Sequence, residues 1–173
     1  LSLQTIPTLT TERLILRAPI AADFPAFALL LASPRANFMG GPYGKQAAWG
    51  LFCHDVACWE LFGHGGLMID LRVTRECVGK VSINDGPLFP EKELGWQLYE
   101  GREGQGYATE AAAALLGWAG PGLRPDRLVS YVHPANRGSA AIAERLGATL
   151  DLNAPRPNPG DLVYRHLPSQ PAV

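Results

Sequence analysis

Apolar and polar positions alternate through "RLILRA" at 13–18, and the β-forming residues there predict a first strand. The run "IAADFPAFALLLAS" (20–33) predicts a helix, with Asp23 placed to cap or charge its start and Pro25 tolerated in its first turn. The Pro and Gly content of "PRANFMGGPYG" (34–44) predicts a loop. From Lys45 to Leu61 the apolar residues Ala48, Leu51 or Phe52, Val56 and Trp59 recur at helical spacing, and Gly63, Gly65 and Gly66 close the segment. Trp49, Phe52 and Trp59 are expected in the core of this helix. "GLMIDLRV" (66–73) and "ECVGKVSIN" (76–84), joined by the turn Thr74-Arg75, predict two antiparallel strands, and "KELGWQLYE" (92–100) a third. Residues 105–119 predict a helix, "DRLVSYVH" (126–133) a strand, and "NRGSAAIAERLGA" (136–148) a helix ended by Gly147. "DLVYRHL" (161–167) predicts a last strand after the Pro/Asn-rich loop 153–160. The resulting order, β-α-α-β-β-β-α-β-α-β, is an α+β plan rather than strict βαβ alternation.

Length and composition narrow the picture without changing it. A chain of 173 residues, 47% hydrophobic and 18% charged, fits a single globular domain, 1–173. The 15 basic and 16 acidic residues leave a net charge of −1, which argues against nucleic acid or an anionic membrane as partner. No apolar run approaches the ~20 residues that span a bilayer. "LSLQTIPTLTTERLILRAP" lacks a charged start followed by an apolar core, so a soluble, cytoplasmic protein is expected. Cys53, Cys58 and Cys77 are an odd count without paired spacing, which predicts free thiols rather than disulfides. His54 and His64 beside them do not make a zinc-ligand spacing, and no metal is expected.

The stretch "YEGREGQGYATEAAAALLGWA" (99–119) carries the candidate chemistry. Gly101, Gly104 and Gly106 connect a strand to a helix start, where unpaired backbone N–H groups and a partial positive charge attract phosphate. The glycines are equally compatible with a tight turn needing positive φ angles. No G-x-x-x-x-G-K-[ST] motif is present, and the dinucleotide fingerprint fails because Thr109 stands at its third small position and Asp126 starts, rather than ends, the next strand.

Taken together, "TERLILRAPIAADF", "LGWQLYEGREGQGYATEA" and "VHPANRGSAAIAERLGA" resemble, in order, segments of the GNAT acetyltransferases and most closely their Rim-type branch, over about residues 8–167. The resemblance implies a mostly antiparallel mixed sheet flanked by helices. It also implies acetyl-CoA as co-substrate, without metal, and direct acetyl transfer to a primary amine, either a protein N-terminus or a small molecule. It implies that the pyrophosphate lies on backbone N–H groups across Glu103, Gly104, Gln105, Gly106, Tyr107, Ala108 and Thr109. The pantetheine arm would pair with the strand through Trp96, Gln97 and Leu98, with an N–H near Leu98 as oxyanion donor.

Several positions depart from the family pattern. Glu103 stands where Gln or Arg is usual, so Arg102 or Gln105 is expected to supply the polar contact. Ala143 replaces a tyrosine that serves many relatives as general acid, and Ala148 replaces an aromatic residue. Asn136 suits the amide bonds of pantetheine, and is also placed to cap a helix. Ser139 could donate to the departing sulfur or merely face the backbone. Glu93 is the candidate general base; the competing reading pairs it with Lys92 or Arg72 at a solvated edge. Asp70, Asp85 and His133 are further candidates, and "NFMGGPYG" is a candidate wall for the acceptor pocket. A homodimer is the default assembly. The alternative function is a non-catalytic CoA- or acyl-CoA-binding domain acting as sensor or structural module.

Overall fold

The computed structural model describes residues 5–123 and 127–166. In chain order, β1 (Leu9–Thr10) and β2 (Leu14–Arg17) precede a 3-10 turn (Ala21–Asp23), α1 (Phe24–Ala32), a 3-10 segment (Pro34–Met39) and α2 (Lys45–Phe62). Strands β3 (Gly66–Leu71), β4 (Cys77–Asn84) and β5 (Lys92–Leu98) follow, then α3 (Tyr107–Ala119) and β6 (Leu128–Val132). The chain closes with α4 (Arg137–Arg145), β7 (Thr149–Leu150) and β8 (Leu162–His166). The strands form one eight-stranded sheet in the order β1-β2-β3-β4-β5-β6-β8-β7. Each pairing is antiparallel except β5 with β6. This is the expected α+β architecture.

Four features differ from the sequence-based reading. Residues 34–39 are a 3-10 segment rather than loop, opened by Pro34 and stopped by Gly40 at φ 82°. Asp23 stands at the start of α1, where it places its charge as expected, but makes no side-chain bond into that helix; its carboxylate accepts from the Arg17 guanidinium at 2.8 Å and from the Ile20 N–H at 2.8 Å. Trp49 is 46% exposed rather than core, while Phe52 and Trp59 are buried as expected. Short strands β1 and β7 are additional. Asp126, at the start of one predicted strand, and Leu167, at the end of another, lie outside the described residues.

Alternation in the central strands explains the layers. Leu67, Ile69, Val81, Ile83 and Leu94 point to one face and pack on Ala111, Ala112 and Leu115 of α3. Small alanines favour the helix and let it sit close to the sheet. The opposite face of β4 and β5 carries Lys80, Ser82, Asn84, Glu93 and Gln97, with cross-strand pairs Lys80↔Gln97 and Asn84↔Glu93. Such a face cannot be an apolar core, and α1 and α2 cover it only in part. Where Asp55 of α2 does meet it, the buried carboxylate accepts from the buried Lys80 ammonium, which also lies 5.0 Å from the Phe27 ring centroid.

Strands β5 and β6 pair only at Lys92↔Leu128 and Glu93↔Val129. Beyond that point β6 continues along β8 to Val132↔Leu162, and β5 along β4 to Leu98↔Gly79. The two strands therefore diverge, leaving one edge of β5 without a strand partner. Ser130 marks the divergence: its hydroxyl donates to the Leu94 carbonyl at 2.6 Å and lies 2.9 Å from His166 Nε2. Having spent its proton, the hydroxyl accepts from Nε2–H, and the buried Nδ1 of His166 has no partner among the described residues.

Burial lowers the His166 pKa from 6.5 to about 4. The unfolded chain then binds a proton that the native state refuses between those two values. Stability contributed by neutral His166 is full above pH 6.5 and is lost as pH falls towards 4, by on the order of 3 kcal/mol. Urea unfolding at pH 7 and pH 4.5 is expected to show a shallower acid loss for His166→Gln than for wild type. An unchanged acid slope would remove His166 from the cause.

Candidate functional site

The glycine-rich connection leaves β5 through a turn in which the Arg102 N–H donates to the Tyr99 carbonyl at 3.1 Å. Gly104 and Gly106 have φ angles of 73° and 81°, the left-handed region that disfavours a side chain. Gly106 is the N-cap of α3 and offers no side-chain cap, so the first-turn N–H groups keep no internal partner. Arg13 anchors this end: its Nε donates to Glu110 at 2.7 Å and its Nη1 to the Gln105 carbonyl at 2.9 Å. Its guanidinium also lies 4.9 Å from the Tyr107 ring centroid.

A cleft of about 1150 Å³ runs from this helix start between the diverging strands to the polar sheet face. Glu103, Gly104, Gly106, Ala108 and Thr109 line one end of it. Trp96, Gln97 and Leu98 of β5 form its floor, and Asn136 and Ser139 of α4 face them. Arg102, Gln105 and Tyr107 do not line the cleft. Arg102 instead pairs with Glu76 on the outside of the loop.

Asn136 acts as N-cap of α4, its Oδ1 accepting from the Ser139 N–H at 3.2 Å. The cap uses the carbonyl oxygen and leaves the amide group available to the cleft, so the two readings of this residue are compatible. The Ser139 hydroxyl accepts from the Trp96 indole N–H at 3.3 Å, which leaves its own proton for another acceptor. Ala143 is fully buried against Val132, Ala148 and Tyr164 and supplies no hydroxyl.

Glu93 lies on the cleft wall where β5 begins to part from β6. Its Oε2 accepts from Asn84 Nδ2 at 2.9 Å. Neither of the partners expected for a solvated edge pair reaches it. Lys92 donates to Asp85 at 2.8 Å, and Arg72 donates to the carbonyls of Thr11 and Glu12 at 3.0 Å. Burial pushes the Glu93 carboxyl above the usual carboxylate range, with Asp161 and Asp55 adding to the rise and Asn84 and Lys80 opposing it. A carboxylate so placed is a stronger base than one in water.

The remaining candidates fall elsewhere. Asp70 pairs with Arg17 at 2.6 Å, Asp85 with Lys92, and neither lines the cleft. His133 is exposed on the cleft rim, its ring 5.2 Å from Phe38. None of the three cysteines lines the cleft. Among the described residues no helix is long and apolar enough to cross a membrane.

Among the contributors to the cleft that escape sequence reasoning are Arg35, which pairs with Glu103, and the polar face of Lys80, Ser82 and Asn84. That face had a signal, since the polar residues of β4 recur at every second position. Arg35 had none, because the contact joins segments far apart in the chain.

The family model for the acetyltransferase (GNAT) domain matches residues 13–149. A solved acetyltransferase from Agrobacterium tumefaciens str. C58 is 62% identical, with 95% of this chain and 96% of that chain covered and a TM-score of 0.91. RimL, a ribosomal α-N-protein acetyltransferase solved in complex with coenzyme A, shares the fold at 20% identity, with 91% and 96% coverage and a TM-score of 0.66. So does the microcin self-immunity acetyltransferase MccE, solved with acetyl-CoA and AMP, at 20% identity, 89% and 92% coverage and a TM-score of 0.66. The strand–glycine loop–helix cleft thus has its counterpart in a known enzyme family: the chain belongs to the GNAT acetyltransferases.

Proposed function

We propose that the cleft binds acetyl-CoA and transfers its acetyl group directly to a primary amine, on a protein N-terminus or a small molecule. The observation that carries this reading is Glu93, a half-buried carboxylate with a raised pKa, on the same wall as an unpaired β5 edge that leads to the glycine loop. RimL and MccE, solved with CoA and acetyl-CoA, support the choice of donor.

The donor supplies an already activated thioester, so this chain's residues have to position, deprotonate and stabilise. The N–H groups of Gly106, Tyr107, Ala108 and Thr109 would hold the pyrophosphate at the helix start. The open β5 edge at Trp96, Gln97 and Leu98 offers main-chain groups to the pantetheine amides, with Asn136 opposite, and an N–H near Leu98 faces developing negative charge. Glu93 takes the proton from the acceptor ammonium, held for the task by Asn84. Ser139 keeps a hydroxyl proton for the departing sulfur, its lone pair being occupied by Trp96. Direct transfer is favoured over a covalent enzyme intermediate because Cys53, Cys58 and Cys77 all lie off the cleft. The reading extends to a single domain over 1–173, a cytoplasmic location and a homodimer as the default assembly.

The test is a thermal-shift titration with CoA. A rise in melting temperature that saturates with CoA is expected, because a ligand of the native state stabilises by mass action. No shift at millimolar CoA would overturn the assignment of the cleft.

A further inference from the structure

We infer that Arg35 is a side-chain ligand for the pyrophosphate of the donor, and that Glu103 is the positioning residue that holds it there. The inference rests on reading the cleft as a CoA site. Three observations carry it.

The first is placement. The 3-10 segment Pro34–Met39 crosses the cleft, with Arg35 paired to Glu103 of the glycine loop and the Phe38 ring 5.2 Å from His133 beyond β6. At the end of the same segment, Met39 Sδ lies 2.9 Å from Gln97 Nε2 of β5. Arg35 and Glu103 both line the cleft at the end where α3 begins.

The second is an unsatisfied donor. Arg35 Nη1 is shielded from solvent, although the side chain as a whole is one-third exposed, and it has no hydrogen-bond partner among the described residues; a shielded guanidinium nitrogen is costly to leave unpaired. An anion entering beside it supplies the missing acceptor.

The third is charge. Glu103 alone would set a carboxylate against the phosphates. The nearby cations of the loop region are already committed, Arg102 to Glu76 and Arg13 to Glu110. Within the cleft Lys80 is committed to Asp55, and Arg145 lines it from the last turn of α4 rather than from the glycine loop. Arg35 neutralises Glu103 through one nitrogen and keeps the other for a phosphate oxygen, a division of labour that the planar guanidinium fork permits and a lysine does not. The unusual acid in the loop thus brings in a cation from another element.

The experiment compares CoA with pantetheine, which lacks the pyrophosphate, by calorimetry and displacement on wild type, Arg35→Ala and Arg35→Lys. Arg35→Ala is expected to raise the Kd for CoA about 10- to 100-fold, the scale of a hydrogen bond to a charged group, and to weaken its salt dependence. The Kd for pantetheine should change less than about 2-fold on the same scale. Arg35→Lys should recover part of the loss. Unchanged CoA affinity in Arg35→Ala, or equal losses for both ligands, would overturn the inference, the latter by making Arg35 a brace for the cleft. Failure of the wild type to bind either ligand would instead sink the CoA reading beneath it.

Discussion

Glu93→Gln is expected to lower kcat by about 10²- to 10⁴-fold, the usual contribution of a positioned general base, with CoA affinity held within about 2-fold. The amide keeps the size and the contact to Asn84 but cannot take a proton. Among the described residues Glu93 has no ion-pair partner of its own: Lys80, the cation that influences it, is bound to Asp55. The carboxyl is therefore raised mainly by burial, and raising a carboxyl makes its ionised form a better acceptor. The sign follows for pH. Protonated Glu93 is inactive, so the acidic limb of kcat/KM should lie above the ordinary carboxylate range, and Glu93→Gln should remove it. Steady-state rates from pH 5 to 9 with a fixed amine check both effects. A variant with near wild-type kcat, or an acidic limb that survives the substitution, would assign the base elsewhere.

Gly106→Glu is expected to raise the Kd for CoA at least about 100-fold, through two independent penalties. The first is conformational: at φ 81° a side chain costs about 1–2 kcal/mol, and its Cβ would stand 3.3 Å from Nη2 of Arg13, whose Nε and Nη1 are tied to Glu110 and the loop, so relief of the strain moves the loop N–H groups off the phosphate position and lowers affinity. The second is electrostatic, since a carboxylate at the N-cap competes with phosphate for the same first-turn N–H groups. Gly106→Ala separates them, because it carries the strain without the charge and should lose much less. Calorimetry with CoA on the folded variants measures the difference. Equal losses for Ala and Glu would reduce the glycine to a turn residue.

The fold was legible because its strands alternate cleanly and its glycines sit where the chain must turn. "KELGWQL" followed by "YEGREGQG" and a run of alanines already describes a strand, a left-handed loop and a helix packed close to a sheet. The apolar spacing of the second helix predicts a slightly rotated stripe. Its spacing placed Val56 inside, yet Val56 is 37% exposed and Asp55 takes the buried position because Lys80 satisfies it. Trp49 turns aside to meet the edge of Phe24 at 4.9 Å, an arrangement that periodicity does not encode. The segment 34–39 is hidden by Pro34 and by the Gly40-Gly41-Pro42 run that follows it, since Pro and Gly mark turns and short 3-10 segments alike. With it went Arg35, whose meaning appears only when the chain brings it to Glu103. Glu93 was legible as a candidate; what could not be read was its company, since Lys92 and Arg72 are near in sequence or expectation but turned to other partners.

Release of free CoA thiol from acetyl-CoA tests most directly whether this cleft transfers acetyl groups to amines. Purified protein should release thiol faster with at least one member of a panel of N-terminal peptides and small primary amines, with mass spectrometry finding the acetyl group on that amine. Glu93→Gln should suppress the release while still binding CoA. Tight CoA binding with no acetylated amine across the panel would contradict the claim and leave a CoA-binding module in its place.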